Sequence, residues 1–124
     1  MTINVQWDNE EHTLLRWDFM ESWGWDDFLA AQKASNDLIT SVPQTVHIIG
    51  DVSRTHAIPA GAIARFRTYR RDDPPNAGKV VLVGASAYIR TMVDIFRGIF
   101  PNTGGNFTFA DSLEEARAAL TSKH

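Results

Sequence analysis

The chain has 124 residues, a formal net charge of −3, 44% hydrophobic residues and 22% charged residues. That is the length and composition of one soluble globular domain, which excludes a disordered tail, a coiled coil and a collagen-like fibre. The absence of cysteine excludes a disulfide scaffold, a thiolate metal site and a Cys nucleophile. Mild acidity argues against a dedicated nucleic-acid binder, and no apolar run approaches the ~20 residues of a membrane helix. Met1, Thr2, Ile3 and Asn4 form neither a basic nor an apolar leader, so a cytoplasmic location is expected.

Ile3, Val5 and Trp7 alternate with polar residues, which predicts a half-buried strand. Residues 8–11 are turn-like, and Leu15, Trp17 and Phe19 alternate again, so the two strands are expected to form an antiparallel hairpin. Trp23, Gly24 and Trp25 break this period and open a helix, with Asp26 and Asp27 at the positive end of its dipole. Trp25, Phe28, Leu29, Leu38, Ile39 and Val42 are read as its core stripe, and Pro43 stops it. Val46, Ile48, Ile49 and Val52 form a short apolar run, as in a strand covered on both faces. After a loop over 53–58, Pro59 opens a second helix carrying Ala62, Ile63 and Phe66. Val80 to Val83 predict another buried strand, closed by Gly84. Ile89, Met92, Val93, Phe96, Ile99 and Phe100 mark a third, strongly amphipathic helix ended by Pro101. Gly104, Gly105 and Asn106 turn the chain into a short strand with Phe107 and Phe109. Ser112 and Glu115 form a capping box for a last helix with Leu113, Ala116 and Leu120.

The predicted order is β-β-α-β-α-β-α-β-α. Strands alternating with helices imply crossover connections and a mixed, mostly parallel sheet, to which the hairpin adds an antiparallel strand. One α/β domain is expected over residues 1–124.

Charge is uneven along this chain. Residues 1–62 carry nine acids against three bases, and residues 63–124 carry nine bases against six acids. Such polarity marks either an interaction surface or two halves that neutralise each other within one fold.

The hairpin, the helix and the following βαβαβα order resemble the STAS fold of bacterial anti-sigma-factor antagonists and of the cytosolic domains of sulfate transporters. The residues that carry the resemblance are the strand and loop from Val46 through Asp51, Val52 and Ser53, then Pro59, Ala60 and Gly61. The strand from Lys79 to Gly84 and the ending from Phe109 to Ala116 add to it. In the antagonists a strand ending in Asp-Leu-Ser leads into Asp-Ser-Ser-Gly, whose first serine is a phosphorylation switch. Here Asp51, Val52 and Ser53 match the strand end and Gly61 matches the glycine, while Pro59 and Ala60 replace the serines. The resemblance implies a protein-binding regulatory module, lacking that switch hydroxyl, whose partner meets the loop and the helix after it. Asp51, Ser53 and Gly61 are the residues carried over, and Arg65 is added to them as a further candidate.

The chemistry-bearing residues are few. Ser53, Thr55 and His56 lie in a loop at a strand's carboxyl end, where open α/β sheets bind ligands. Their hydroxyls either accept a phosphate or satisfy loop backbone groups. Gly84 and Ser86 join a strand to a helix, and serve either as an anion cradle or as a turn and cap. The segment is no P-loop, because the Gly-Lys-Ser/Thr ending is absent. His12, His47, His56 and His124 have no metal-ligand spacing, and His47 is read as structural. Arg65, Arg67, Arg70 and Arg71 concentrate charge on the second helix, either as a surface for an acidic partner, an anionic lipid or RNA, or as a solvated face. No catalytic set, metal or cofactor is expected. The functional expectation is a non-catalytic module that binds a protein or itself, as in a homodimer; the alternative is a domain binding a small ligand or anion.

Overall fold

The computed structural model describes residues 3–56, 58, 61, 64, 65, 74–99 and 107–121, with the side chains of 95–99 and 107 excepted. The strands are β1 (Ile3–Trp7), β2 (Leu14–Phe19), β3 (Val46–Asp51), β4 (Ala77–Val83) and β5 (Phe107–Ala110). The helices with described bounds are α1 (Trp25–Thr40), α2 (Ala87–Ile99) and α3 (Leu113–Thr121). Gly61, Ala64 and Arg65 are helical, but most of the predicted second helix, including Arg67, Arg70 and Arg71, lies outside the described residues.

All five strands form one sheet in the order β1-β2-β3-β4-β5. The β1–β2 pair is antiparallel and the β2–β3, β3–β4 and β4–β5 pairs are parallel. The period-2 pattern of the hairpin and the apolar runs of β3 and β4 thus carry through to pairing. β4 begins at Ala77, before the apolar run that predicted it. The early start has a local cause: His47 of β3 opposes Gly78 and Lys79, and the register shifts there. A Cβ on Gly78 would run into the His47 ring, and His47 Nδ1 accepts the Lys79 N–H at 2.9 Å. His47 is therefore a structural histidine. Burial, reinforced by the Lys79 charge, holds its pKa below the ordinary imidazole value.

Alternation along the strands gives the sheet two different faces. On one, Leu15, Trp17, Val46, Ile48, Val80 and Leu82 pack with Ala31 and Ile39 of α1, and Val93 of α2 joins them. Phe28, Leu38 and Val42 also close this core, but Leu29, expected on the same stripe, is 41% exposed. The buried line of α1 is Ala31, Ser35 and Ile39. It lies to one side of the apolar stripe because the small Ala31 and Ser35 let the helix approach the Trp17 indole. Ser35 is wholly buried, and its Oγ accepts the Trp17 Nε1–H at 3.1 Å.

On the other face, Leu14, Ile49, Val81, Val83 and Ala110 pack under Ala116 of α3, flanked by Leu113 and Leu120. The capping box forms as expected at one bond: Ser112 Oγ accepts the Glu115 N–H at 3.1 Å. The return bond goes to the Asp111 N–H, which donates to Glu115 Oε1 at 3.0 Å. Beside this small core sits an ionic clamp. The Asp8 carboxylate has no exposed side-chain surface; Arg117 of α3 reaches it at 2.7 Å, and Arg16 of β2 reaches it at 2.7 Å. Burial pushes the Asp8 pKa up, but hydrogen bonds from Arg117 and Arg16, with their charges, outweigh it and hold the carboxyl below its ordinary value. Burial opposes the charge on Arg16, yet the carboxylates of Asp18 and Asp8 raise its pKa. Arg117 is raised chiefly by its bond to Asp8. The acidic first half and the basic second half of the chain thus meet inside one fold.

Candidate functional site

Because β2 to β5 run parallel, the loops that follow them emerge along one rim of the sheet. The ladder continues past the strand ends: the Val52 N–H donates to Val83 O at 3.0 Å, and the Gly84 N–H donates to Ala110 O at 3.1 Å. Gly84 has φ of +71°, the left-handed region that glycine enters freely, and a Cβ there would lie 2.6 Å from Ser53 Cβ. The loops after β3 and β4 therefore touch, and Ser53 and Gly84 are brought together.

Ser53 is tied back to its own strand end. Asp51 Oδ1 accepts the Ser53 N–H at 3.0 Å and the Ser53 hydroxyl at 2.7 Å, an Asx-type turn. The turn closes with the Thr55 N–H donating to Val52 O at 3.1 Å. Thr55 is only 3% exposed. Its hydroxyl donates to Met20 O at 2.9 Å and accepts the Trp23 indole N–H at 3.3 Å. Thr55 therefore bolts the loop after β3 to the loop after β2, which burial and a committed hydroxyl make a positioning role. Ser53 and His56 stay exposed beside it.

Further along the rim, Ser86 Oγ accepts the Ile89 N–H at 3.2 Å and caps α2. Arg90, one turn later, donates to Ala85 O at 3.2 Å and pairs with Asp111 at 3.4 Å, while its guanidinium lies 4.7 Å from the centre of the Phe109 ring. That side chain staples the loop after β4 to the end of β5. Gly61 and Arg65 lie exposed on the helical segment after the Ser53 loop, and a Cβ on Gly61 would meet nothing within 4 Å. Arg54 is exposed on the same rim, with Nη1 3.4 Å from Met20 Sδ. Sequence reading passed over Arg54, although its place between Ser53 and Thr55 was a usable signal.

The rim presents hydroxyls, an imidazole and guanidinium groups. Among the described residues no group of three or more His, Cys, Asp or Glu side chains could hold a metal ion. No described helix is long and apolar enough to cross a membrane.

A mixed five-stranded sheet with a leading hairpin, covered by helices on both faces, is the STAS fold. The solved structure of the anti-sigma factor antagonist SpoIIAA in its unphosphorylated form superposes with a TM-score of 0.69, at 15% identity, over 99% of this chain and 99% of that one. No family model matches the sequence. No curated protein matches it either.

Proposed function

We propose that this chain is a non-catalytic regulatory module that binds a protein partner along the rim formed by the loops after β3 and β4 and by the helical segment carrying Gly61 and Arg65. The observation behind this reading is the SpoIIAA-like fold combined with an exposed rim whose described loops are tied down by hydrogen bonds. Thr55 ties down one loop, Arg90 ties down the other, and Ser53, Arg54, His56 and Arg65 are exposed. A pre-organised rim lowers the ordering cost of docking. In the resemblance to the antagonists, the serines at the helix start are replaced by Pro59 and Ala60, so partner binding here proceeds without a phosphate on those positions. The positive side chains on the rim suit an acidic partner surface. A cytoplasmic setting belongs to the same reading.

The test is affinity capture from the host lysate, using the full chain as bait. Arg65→Glu and Arg54→Glu should lose the captured partner at least tenfold. Glu10→Arg, at the opposite end of the sheet, should keep it. Equal capture by all three baits would overturn the reading.

One observation favours a second reading: the contact between Gly84 and Ser53 brings two strand-end loops together, as in a small-anion or nucleotide site. A thermal-shift screen with phosphates, nucleotides and lipids tests it. A rise in melting temperature that Ser53→Ala abolishes supports a ligand, and no rise at millimolar concentration removes it.

A further inference from the structure

The β1 edge of the sheet lies away from the rim and carries an inference independent of the partner reading. Among the described residues β1 has a single neighbour, β2, and its five residues pair with β2 in unbroken register. The direction of its backbone groups follows from one bond. The Asp8 N–H donates to Leu14 O at 2.8 Å, so Asp8 faces β2 with its peptide groups. Antiparallel ladders alternate. Gln6 and Asn4 therefore also point their N–H and C=O groups at β2, and Ile3, Val5 and Trp7 point theirs outward.

Sheet proteins blunt such an edge with lysine, proline, an inward charge or a bulge. The sequence Ile-Asn-Val-Gln-Trp has none of these. It has no charge, no proline and no register break, and it is rich in residues that favour strands. Each copy carries a net charge of −3, but none of it sits on this strand.

We propose that β1 is a self-association edge, at which two copies of this chain join antiparallel about a two-fold axis through Val5. That register is self-complementary. The outward peptide groups of Val5 pair with those of its copy, and those of Ile3 pair with those of Trp7. Asn4 then stands opposite Gln6 as a non-hydrogen-bonded pair, the closer of the two cross-strand types, with the Gln6 amide already donating to Asp18 Oδ2 of its own sheet at 2.8 Å. The half-buried side chains of Ile3, Val5 and Trp7 continue the apolar face that α1 covers. The same patch serves both copies, as a closed dimer requires.

Sedimentation velocity over a concentration series tests this with three variants. The wild-type chain should move from one mass to twice that mass, and hydrogen exchange at Ile3, Val5 and Trp7 should slow with concentration. Val5→Pro removes an outward N–H and no bond to β2, so it should remain monomeric with an unchanged far-UV spectrum. Asn4→Lys/Gln6→Lys places like charges opposite each other and should also be monomeric. Asn4→Glu/Gln6→Lys places opposite charges there, keeps a donor toward Asp18 at position 6, and should restore the dimer. A wild-type chain that stays monomeric throughout overturns the proposal. So does a dimer that the double-lysine variant leaves intact, or one with no concentration-dependent protection in β1.

Discussion

The two faces of the sheet are built on different principles. Under α1 the core is large and aromatic: Trp17 packs against Phe19 and Phe28, and Trp23 packs against Phe19, with ring centres 5.4–5.9 Å apart. Under α3 the core is small and aliphatic, and it is completed by the Asp8 clamp and by His47 in its glycine-made recess. Among the described residues, every group whose proton affinity is clearly shifted lies on or against the α3 face: Asp8, Arg16, His47 and Arg117. One face is held by buried apolar area, which is indifferent to pH; the other depends on protonation state as well. Acid should therefore loosen α3 before α1.

Trp17→Ala strikes the aromatic face and should have the largest effect, about 3–5 kcal/mol by chemical denaturation, because it empties an indole-sized space and strands Ser35. Its cost should vary little with pH. Asp8→Ala strikes the other face. It leaves Arg16 and Arg117 without their shared acceptor, but both are partly hydrated, so about 2–3 kcal/mol is expected near neutrality. Here pH discriminates. A carboxyl whose folded pKa lies below its unfolded value contributes fully above the unfolded value, 3.8, and loses that contribution as pH falls through the folded one. Asp8→Ala should therefore flatten the acid limb of stability, and an unaltered limb would show that the clamp is not the acid-sensitive element. His47 has the same sign, because a depressed imidazole makes the unfolded chain bind protons first. Its contribution is complete above the unfolded value, 6.5, and declines below it, so His47→Gln should remove the decline in that window.

A smaller effect belongs to the join between the aromatic face and the rim. Thr55→Val deprives the Trp23 indole and Met20 O of a partner, for about 1–2 kcal/mol. If Thr55 positions the rim, the variant should also weaken partner capture without removing it. Smallest of all is Gly50→Ala in mid-sheet. The new Cβ comes 2.8 Å from the end of the Leu82 side chain and 3.8 Å from Phe19 Cε1, and making room for it in this packed core costs about 1 kcal/mol.

Legibility in the sequence followed the range of the interaction. Period-2 alternation exposed β1 and β2, and unbroken apolar runs exposed β3 and β4, because burial on one face or two is a local pattern. The α1 stripe was misjudged at Leu29 because the buried line runs through Ala31 and Ser35, a small residue and a polar one. Only the Trp17 indole, on another element, explains the choice of Ser35. Asp8 read as part of a turn because neither of its cations is visible at helical spacing. In the candidate site, the meeting of Ser53 and Gly84 follows once β3 and β4 are known to pair. The burial of Thr55 does not follow, since Met20 and Trp23 reach it from a different loop.

The Asp8–Arg117 bond also has a kinetic consequence. It joins residues 109 positions apart, so nearly the whole described chain must be in place before it closes. Contacts with so long a loop carry a large closure entropy and form late, after the β-α-β units between them. Such a clamp does little to speed folding and much to slow unfolding. Its weight falls on the lifetime of the folded state, as a latch set after the fold has closed.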